Sequence, residues 1–363
     1  MKKRIISMLL VATMSASMLI GCGSSAKEQT PATAEPAAAE TAEATAPAAE
    51  TPASDYQITL KMSHVFAPNE QLTKSLEIVC DNIKERTNGA VVIEQYPQGQ
   101  LATYKDGVEQ VVRGAEFISV EDPSYLGDYV PDFNALVGPF MYKSFDEYEY
   151  VIQSDLVKDW EKQLEEKGIK VLALDYIFGF RCLMTNKEIQ TPADLKGMKI
   201  RVPGSQLFID TFNALGCTAT PMAFGETLSA VQQGVVDGLE GTMDAYGSNG
   251  SAEVAKNFGL TNHFLGTCGV YISTQIWDAM PKEYQDIVQE EFSKGAQQMI
   301  SEVSNNYDAT QKRVEEEQGC VINEVDYDSF VEATKGVYDT MEGTTPGIYD
   351  TLQGIVGEYR ASH

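Results

Sequence analysis

Three neighbouring stretches of the chain decide its fold. Residues 191–204 read TPADLKGMKIRVPG, residues 213–228 read NALGCTATPMAFGETL, and residues 231–238 read VQQGVVDG. The apolar run over 198–202 predicts a strand, and the apolar spacing predicts helices over 206–214 and 227–233. A strand followed by helices in this order is typical of an α/β domain.

The same order of elements precedes these stretches. We predict strands over 57–64, 90–96, 116–120, 170–174 and 181–185, and helices over 69–86 and 104–112. This order favours a largely parallel sheet. Two α/β units in one chain usually leave a cleft between them, which is the default ligand site. The predicted fold class is therefore α/β, with two α/β domains around a ligand cleft.

A long helical pattern follows, from Pro281 to Gln318. Apolar residues recur at spacings of four, four, three, four and four between Val288 and Tyr307, and Pro281 suits a first helical position. We expect one long helix that bridges the two domains. A coiled coil is the weaker alternative, because few heptad positions are strongly apolar.

The composition limits the classes of function. The chain has 363 residues, more than one hydrophobic core usually holds, so two domains are expected. It has 27 Lys and Arg against 53 Asp and Glu, a formal net charge of −26. Such a negative field repels polyphosphates, which argues against nucleic-acid binding and against docking on anionic membranes through a basic patch. Taken alone, the charge would point to a cationic partner.

The first 54 residues are predicted to lie outside the fold. Basic residues 2–4 and a mostly apolar run over 5–20 are typical of a secretory signal and short for a membrane span. Cys22 follows small residues as in a lipobox, so residues 1–22 are expected to be a lipoprotein signal with a lipid on the Cys22 sulfur. An ordinary signal peptide is the alternative. Residues 23–54, rich in Ala, Thr, Glu and Pro, predict a disordered linker.

The acidity belongs to the folded part. The signal carries +3 and the linker −4, so the remaining 309 residues carry −25. A lipidated cysteine before a long polar tether is similar to a Gram-positive surface lipoprotein, in which the tether holds the folded part away from the membrane.

Patterns that would carry catalysis are missing from the sequence. It contains six cysteines without C-x-x-C spacing, three widely separated histidines, and no nucleotide-binding or hydrolase motif. We therefore expect no enzyme activity, no cofactor and no metal, with a carboxylate pair as the remaining enzymatic alternative. Buried, scattered thiols are the expected state of the cysteines, with one long-range disulfide as the alternative.

The three opening stretches closely resemble the substrate-binding proteins of TRAP transporters, the DctP-type family. Further family-like pieces follow in family order: ERTNG at 85–89, YPQGQL at 96–101, GPFM at 138–141 and GFR at 179–181. The resemblance covers roughly residues 57–322. It implies a periplasmic-binding-protein-like fold with hinge strands and a long bridging helix. By analogy, domain one would comprise 55–178 plus 268–306, and domain two 179–267 plus 307–363.

The resemblance also implies ligand-binding residues. Arg201 falls on the family's key arginine, and a guanidinium donates two parallel hydrogen bonds to a carboxylate. The alternative is an arginine paired with a structural acid. Arg181 matches a second arginine that many members direct at the ligand, with a surface arginine as the alternative. Phe224 matches an aromatic that contacts the ligand's carbon skeleton in relatives, or is a core residue.

Four further residues are candidates. Glu121 lies where some relatives place a polar side chain, and a carboxylate there favours a hydroxylated ligand over a bare diacid. His64 and Tyr125 are possible hydrogen-bond donors, and a structural role for His64 is the equal alternative. Gly241 stands where many relatives have an asparagine that holds the ligand carboxylate, so Thr242 is the candidate substitute.

The function implied by the resemblance is that of an extracytoplasmic solute receptor. It would capture an organic acid by domain closure and deliver it to the TRAP membrane permease, anchored through Cys22 on the outer face of a Gram-positive membrane. A sugar acid such as a hexuronate or an aldonate is the first expectation, and a C4-dicarboxylate the next. A ligand-presenting receptor for a sensor kinase and an enzyme on the same scaffold are the alternatives.

Overall fold

A computed structural model describes residues 55–363. The predicted signal peptide, Cys22 and the linker lie outside the described residues. None of the helices in the described range combines the length and the apolar character needed to cross a membrane.

The strands of the described residues form one mixed sheet. They are β1 (Ile58–Ser63), β2 (Val91–Tyr96), β3 (Phe117–Glu121), β4 (Ile169–Thr185), β5 (Lys199–Val202), β6 (Thr218–Pro221), β7 (Gly238–Gly241), β8 (Asn257–Ser273) and β9 (Val321–Asn323). The order is β2-β1-β3-β8-β4-β7-β5-β6, and β9 pairs with β8. Pairs at the two ends are parallel, whereas β3–β8, β8–β4 and β4–β7 are antiparallel. The α/β class is confirmed, and the pairs at each end are parallel as predicted, whereas the central pairs that the long strands β4 and β8 form were not foreseen and are antiparallel.

Helices cover the sheet. They are α1 (Gln71–Arg86), α2 (Tyr104–Val112), α3 (Phe133–Leu136), α4 (Phe145–Ile152), α5 (Asp155–Glu166), α6 (Gln206–Ala214), α7 (Thr227–Gln232), α8 (Met243–Asn249), α9 (Thr274–Ala279), α10 (Lys282–Asn305), α11 (Tyr307–Lys312), α12 (Tyr327–Thr334), α13 (Val337–Thr340) and α14 (Ile348–Ser362). We call the part around β1–β3, with α1 and α2, the first lobe. The part around β5–β7, with α6–α8, is the second lobe.

Strands β4 and β8 run through both lobes. Each has 17 residues, so the two strands predicted over 170–174 and 181–185 are one. The sequence of residues 175–180 gives no strand signal, but these residues continue the strand because they pair with β8. The pairing shifts register between Ile177 and Gly179, and Gly179 has a φ of 112°. A glycine adopts this backbone conformation without steric cost.

The apolar periodicity of α10 places its core face as predicted. Val288, Phe292, Ala296 and Met299 are buried in one cluster with apolar residues of β1 and α1. The prediction of one unbroken helix over 281–318 is wrong, since α10 ends at Asn305. Asn306, with φ −94° and ψ 0°, separates it from α11, and a π-helical turn follows over Arg313–Glu317. No glycine or proline marks this break in the sequence.

The proposed domain boundaries coincide with local irregularities. The 178/179 boundary adjoins the register shift of β4, and the 306/307 boundary falls at the break between α10 and α11. The sheet itself is continuous across both lobes. We therefore keep the two-domain division as a proposal that these irregularities support.

The cysteines of the described range are Cys80, Cys182, Cys217, Cys268 and Cys320, all free and buried. Burial raises the pKa of the Cys80, Cys182 and Cys217 thiols to about 12. They are neutral core residues, as the sequence favours.

Gly295 allows α10 to approach the first lobe closely. A Cβ there would meet Val79 Cγ2 and the Tyr176 hydroxyl, which bonds the Phe292 carbonyl at 3.0 Å. We expect Gly295→Ala to destabilise the protein by about 1–3 kcal/mol through overpacking, measured by urea unfolding.

The matched control is Gly357→Ala, in the exposed middle of α14, where a Cβ meets no atom within 4 Å. There the change should stabilise by about 0.5–1 kcal/mol, because alanine loses less backbone entropy than glycine. Equal effects of the two variants would contradict the close packing of α10.

Candidate functional site

A small cavity of about 60 Å³ lies between the two lobes, against β4. Its walls include Phe66, Tyr104, Glu121, Asp122 and Tyr125 from the first lobe, Arg201, Pro203, Phe208, Phe224 and Glu240–Thr242 from the second, and Phe178, Arg181 and Cys268 from the long strands. Six of the seven predicted ligand residues thus meet here. They are Arg201, Arg181, Phe224, Glu121, Tyr125 and Thr242.

Arg201 is the central cation of this cavity. It lies on β5 and is only 2% exposed. Its Nε and Nη2 donate to the Met222 carbonyl at 3.1 and 2.8 Å, and its guanidinium carbon lies 5.5 Å from the centre of the Phe224 ring. Within residues 55–363 no carboxylate oxygen lies within 4.0 Å of its nitrogens, so no ion pair compensates its charge. A buried, unpaired charge is costly and favours an anionic partner.

Arg181 also lines the cavity, but it is already paired. Its Nε and Nη2 donate to the two oxygens of Glu240 at 2.7 and 2.5 Å. Behind this pair, His263 Nε2 lies 3.4 Å from Glu240, and His263 Nδ1 lies 2.8 Å from the Thr261 hydroxyl. Burial would raise the pKa of Glu240, yet Arg181 and His263 outweigh burial and lower it to about 2. Glu240 is therefore ionised, and its negative charge cancels the positive charge of Arg181, so the pair has no net charge.

Two acidic side chains on the first lobe face the cavity. Burial raises the pKa of Glu121 to about 8, opposed by the Tyr104 N–H, which donates to Glu121 Oε1 at 2.6 Å. Burial also raises the pKa of Asp122, which accepts from the Ser124 N–H at 2.9 Å. The raised pKa favours the protonated form of Glu121 at neutral pH, and a protonated carboxyl does not repel an anion.

The remaining predicted residues take different positions. The Tyr125 hydroxyl is buried without a hydrogen-bond partner in the described part of the chain. Gly241 and Thr242 both line the cavity, and a Cβ on Gly241 would come within 3.4 Å of Tyr246. His64 does not line the cavity. It is fully buried, and its Nε2 bonds Gln95 Oε1 at 3.2 Å, which agrees with the structural alternative.

Sequence reasoning missed Tyr104 and the role of Glu240. The Tyr104 hydroxyl accepts a hydrogen bond from the Phe224 N–H at 2.9 Å, across 120 residues of chain. No motif marked this residue. Glu240 directly precedes Gly241 in the chain, but no sequence pattern places its carboxylate beside Arg181.

A larger cavity of about 800 Å³ adjoins the small one, with Phe178 and Thr242 in the walls of both. It lies beside the break at Asn306 and holds none of the predicted site residues except Thr242. We therefore take the small cavity as the candidate site. Within residues 55–363 no three His, Cys, Asp or Glu side chains are grouped as metal ligands.

The small cavity is smaller than most ligand pockets. Ligand pockets usually enclose about 300–1,000 Å³, against about 60 Å³ here. An organic ligand of ordinary size therefore needs more space than this cavity has in the structure.

Comparison with known proteins agrees with this geometry. A family model described as bacterial extracellular solute-binding protein, family 7 (DctP), matches residues 62–344. The C4-dicarboxylate-binding periplasmic protein DctP of Rhodobacter capsulatus is 32% identical over 227 residues, which cover 62% of this chain and 68% of that protein.

Several solved structures are similar. A TRAP periplasmic solute-binding protein from Desulfovibrio salexigens, in complex with diglycerolphosphate, is 55% identical with a TM-score of 0.83, covering 85% of this chain and 99% of that chain. One from Fusobacterium nucleatum with bound sn-glycerol 3-phosphate is 41% identical with a TM-score of 0.83, covering 84% and 99%. One from Actinobacillus succinogenes with bound L-galactonate is 28% identical with a TM-score of 0.80, covering 83% and 99%.

The raised pKa of Glu121 predicts how stability depends on pH. Between pH 4.5 and about 8 the folded state keeps a proton that the unfolded state has lost, so stability falls as pH rises through this window. Glu121→Gln removes this contribution. We measure the unfolding free energy by urea titration at several pH values. As the pH rises through this window, the unfolding free energy of the variant minus that of the wild type should increase by up to about 1.4 kcal/mol per pH unit.

Glu70→Gln is the matched comparison, because burial raises the pKa of Glu70 to about 8 outside the cavity. It should change the slope of stability in the same direction. Parallel pH profiles of Glu121→Gln and the wild type would mean that Glu121 is ionised in the folded protein.

Proposed function

The chain belongs to the DctP family, bacterial extracellular solute-binding protein family 7, and from that premise we propose that it binds a small hydroxylated organic anion through Arg201. It is the extracytoplasmic solute receptor of a TRAP transporter and delivers its ligand to the membrane permease. The family consists of binding proteins, so the chain is a receptor and not an enzyme. No relative reported above is named as a signalling receptor.

One observation carries the proposed ligand class. Arg201 is a buried cation at the cavity wall, and the described residues place no carboxylate beside it. The three acidic residues of the cavity wall do not pair with Arg201: Glu240 is held by Arg181, Asp122 accepts the Ser124 N–H, and the raised pKa of Glu121 favours its protonated form. A bound anion would therefore neutralise the charge of Arg201, which has no ion-pair partner among the described residues.

The anionic group is either a phosphate ester or a carboxylate, since a guanidinium pairs with both in the same bidentate geometry. A phosphate ester of glycerol stands first, because the structures at 55% and 41% identity hold such ligands. A carboxylate, which the sequence favours, has support from the L-galactonate complex at 28% identity. Protonated Glu121 and the Tyr125 hydroxyl provide donors for the hydroxyl groups of either ligand.

Arg201→Ala tests the role of the cation. The purified 55–363 fragment is screened by thermal shift against sn-glycerol 3-phosphate, diglycerol phosphate, L-galactonate and succinate. A ligand at about 100 times its Kd should raise the wild-type Tm by about 4 °C. The variant should lose this shift relative to its own ligand-free Tm.

Arg113→Ala is the matched control, because Arg113 is exposed and its ion pair within residues 55–363 is with Glu109 at the surface. It should keep the full shift. A ligand that stabilises Arg201→Ala as strongly as the wild type would disprove the role of Arg201. If none of the four anions stabilises the wild type, the proposed ligand class is wrong.

We also propose that Cys22 carries a lipid that anchors the protein to the outer face of a Gram-positive membrane. The support is the sequence itself: a basic start, a short apolar run and a cysteine after small residues, followed by a polar linker. Acyl chains on one residue hold a protein at a membrane by apolar burial, without a spanning helix.

Cys22→Ser tests the anchor in cells that express the full chain. The wild type should partition into the detergent phase of a Triton X-114 extract, and the variant into the aqueous phase or the medium. A wild type that partitions with the variant would indicate an ordinary signal peptide.

A further inference from the structure

Tyr104 connects the two lobes across the cavity. It begins α2 in the first lobe, and its hydroxyl accepts the Phe224 N–H of the second lobe at 2.9 Å. The same hydroxyl lies 3.4 Å from Arg201 Nη2. These contacts span 120 and 97 residues of chain. They join one first-lobe side chain directly to the residues proposed to hold the ligand.

The backbone holds Tyr104 in this position. Its φ of 56° is in the left-handed region, which a bulky residue rarely adopts. Its N–H donates to Glu121 Oε1 at 2.6 Å, and its ring lies 5.7 Å from the Tyr125 ring. An uncommon backbone conformation persists only where its surroundings determine it. Glu121 and Tyr125 therefore fix the orientation of Tyr104, so that its hydroxyl faces the second lobe.

The hydrogen-bond account of the Tyr104 hydroxyl is incomplete. The oxygen accepts from Phe224 and Arg201, but its own proton has no acceptor among residues 55–363. Burial raises the pKa of Tyr104, so the phenol stays protonated. A tyrosine hydroxyl both donates and accepts, and Tyr104 lines the cavity. An oxygen of a bound anion is the acceptor that this proton lacks.

We propose that Tyr104 is a latch that holds the two lobes together and donates its hydroxyl proton to the anion bound at Arg201. The holding contact needs no ligand, whereas the donation rests on the proposed function. The phenol and the guanidinium are both donors toward the ligand. The latch therefore favours an ionised oxygen, as in a phosphate or a carboxylate, over a neutral hydroxyl.

Tyr104→Phe removes the hydroxyl and keeps the ring. In stopped-flow titrations with sn-glycerol 3-phosphate, we expect the dissociation rate to rise about tenfold or more. The association rate should not fall, because the lost contact is present without ligand and its removal eases the opening that binding requires. Tyr142→Phe is the matched control, because the Tyr142 hydroxyl bonds the buried Leu136 carbonyl at 2.8 Å away from the cavity. It should lower the Tm without changing either rate.

A second measurement needs no ligand. In the ligand-free wild type the Phe224 amide donates to Tyr104, so its hydrogen exchange should be slow. Tyr104→Phe should accelerate this exchange about tenfold or more. The Met222 amide, which donates to the Val202 carbonyl at 3.2 Å, should be unchanged and serves as the internal control.

The outcomes separate the latch from the proposed function. Equal Phe224 exchange in the wild type and Tyr104→Phe overturns the holding contact, and equal dissociation rates overturn the donation to the ligand. A wild type that binds none of the four anions contradicts the proposed ligand class. The exchange measurement still decides the latch in that case.

Discussion

The binding site depends on one buried positive charge that the protein leaves uncompensated. Arg201 is almost inaccessible to water, and its nearest partners are the Met222 carbonyl, the Phe224 ring and the Tyr104 hydroxyl. Each of these is neutral, so together they orient the guanidinium without cancelling its charge. Removing a charge from water is costly unless it is paired and hydrogen-bonded. The free energy gained by pairing Arg201 with an anion is therefore realised only when a ligand binds.

Two of the acidic residues around this charge, Glu240 and Glu121, are placed so that they do not compete with a ligand. Glu240 carries a negative charge, but Arg181 binds both of its oxygens. Glu121 keeps its proton because it is buried. The net charge of −25 over the folded residues is therefore compatible with an anion receptor. Exposed charges are screened within about 10 Å at 0.1 M salt, while a buried guanidinium acts at short range in a medium of lower polarity.

The sequence predicted those parts of the molecule that depend on local pattern. The strands and helices of the first lobe follow from apolar spacing, as do β5, α6 and α7 of the second, whereas β6, β7 and α8 were not predicted. Arg201, Phe224, Glu121 and Thr242 follow from the family resemblance, and the cavity brings them together. The rest depends on contacts far apart in the chain. Strand β4 is continuous because β8 pairs with it, α10 ends at Asn305 without a sequence signal, and the orientation of Tyr104 is set by Glu121 and Phe224. His64 shows a limit of the prediction from local pattern. It follows the end of β1 near the site, yet its side chain does not line the cavity.

The chemistry of Tyr104 suits a receptor that must both close and release. A carboxylate at this position would also reach Arg201, but it would neutralise the guanidinium and compete with the ligand. A neutral phenol contributes a hydrogen bond worth about 0.5–1.5 kcal/mol, less than the charge-assisted bonds of about 1.5–3 kcal/mol that an anion forms. Closure without ligand is therefore weak, and closure with ligand is stronger by the pairing of Arg201. A ligand shifts a conformational equilibrium only by its differential affinity for the two states. Because Tyr104 is neutral and Arg201 is unpaired, most of the free energy that stabilises the closed state comes from the bound ligand.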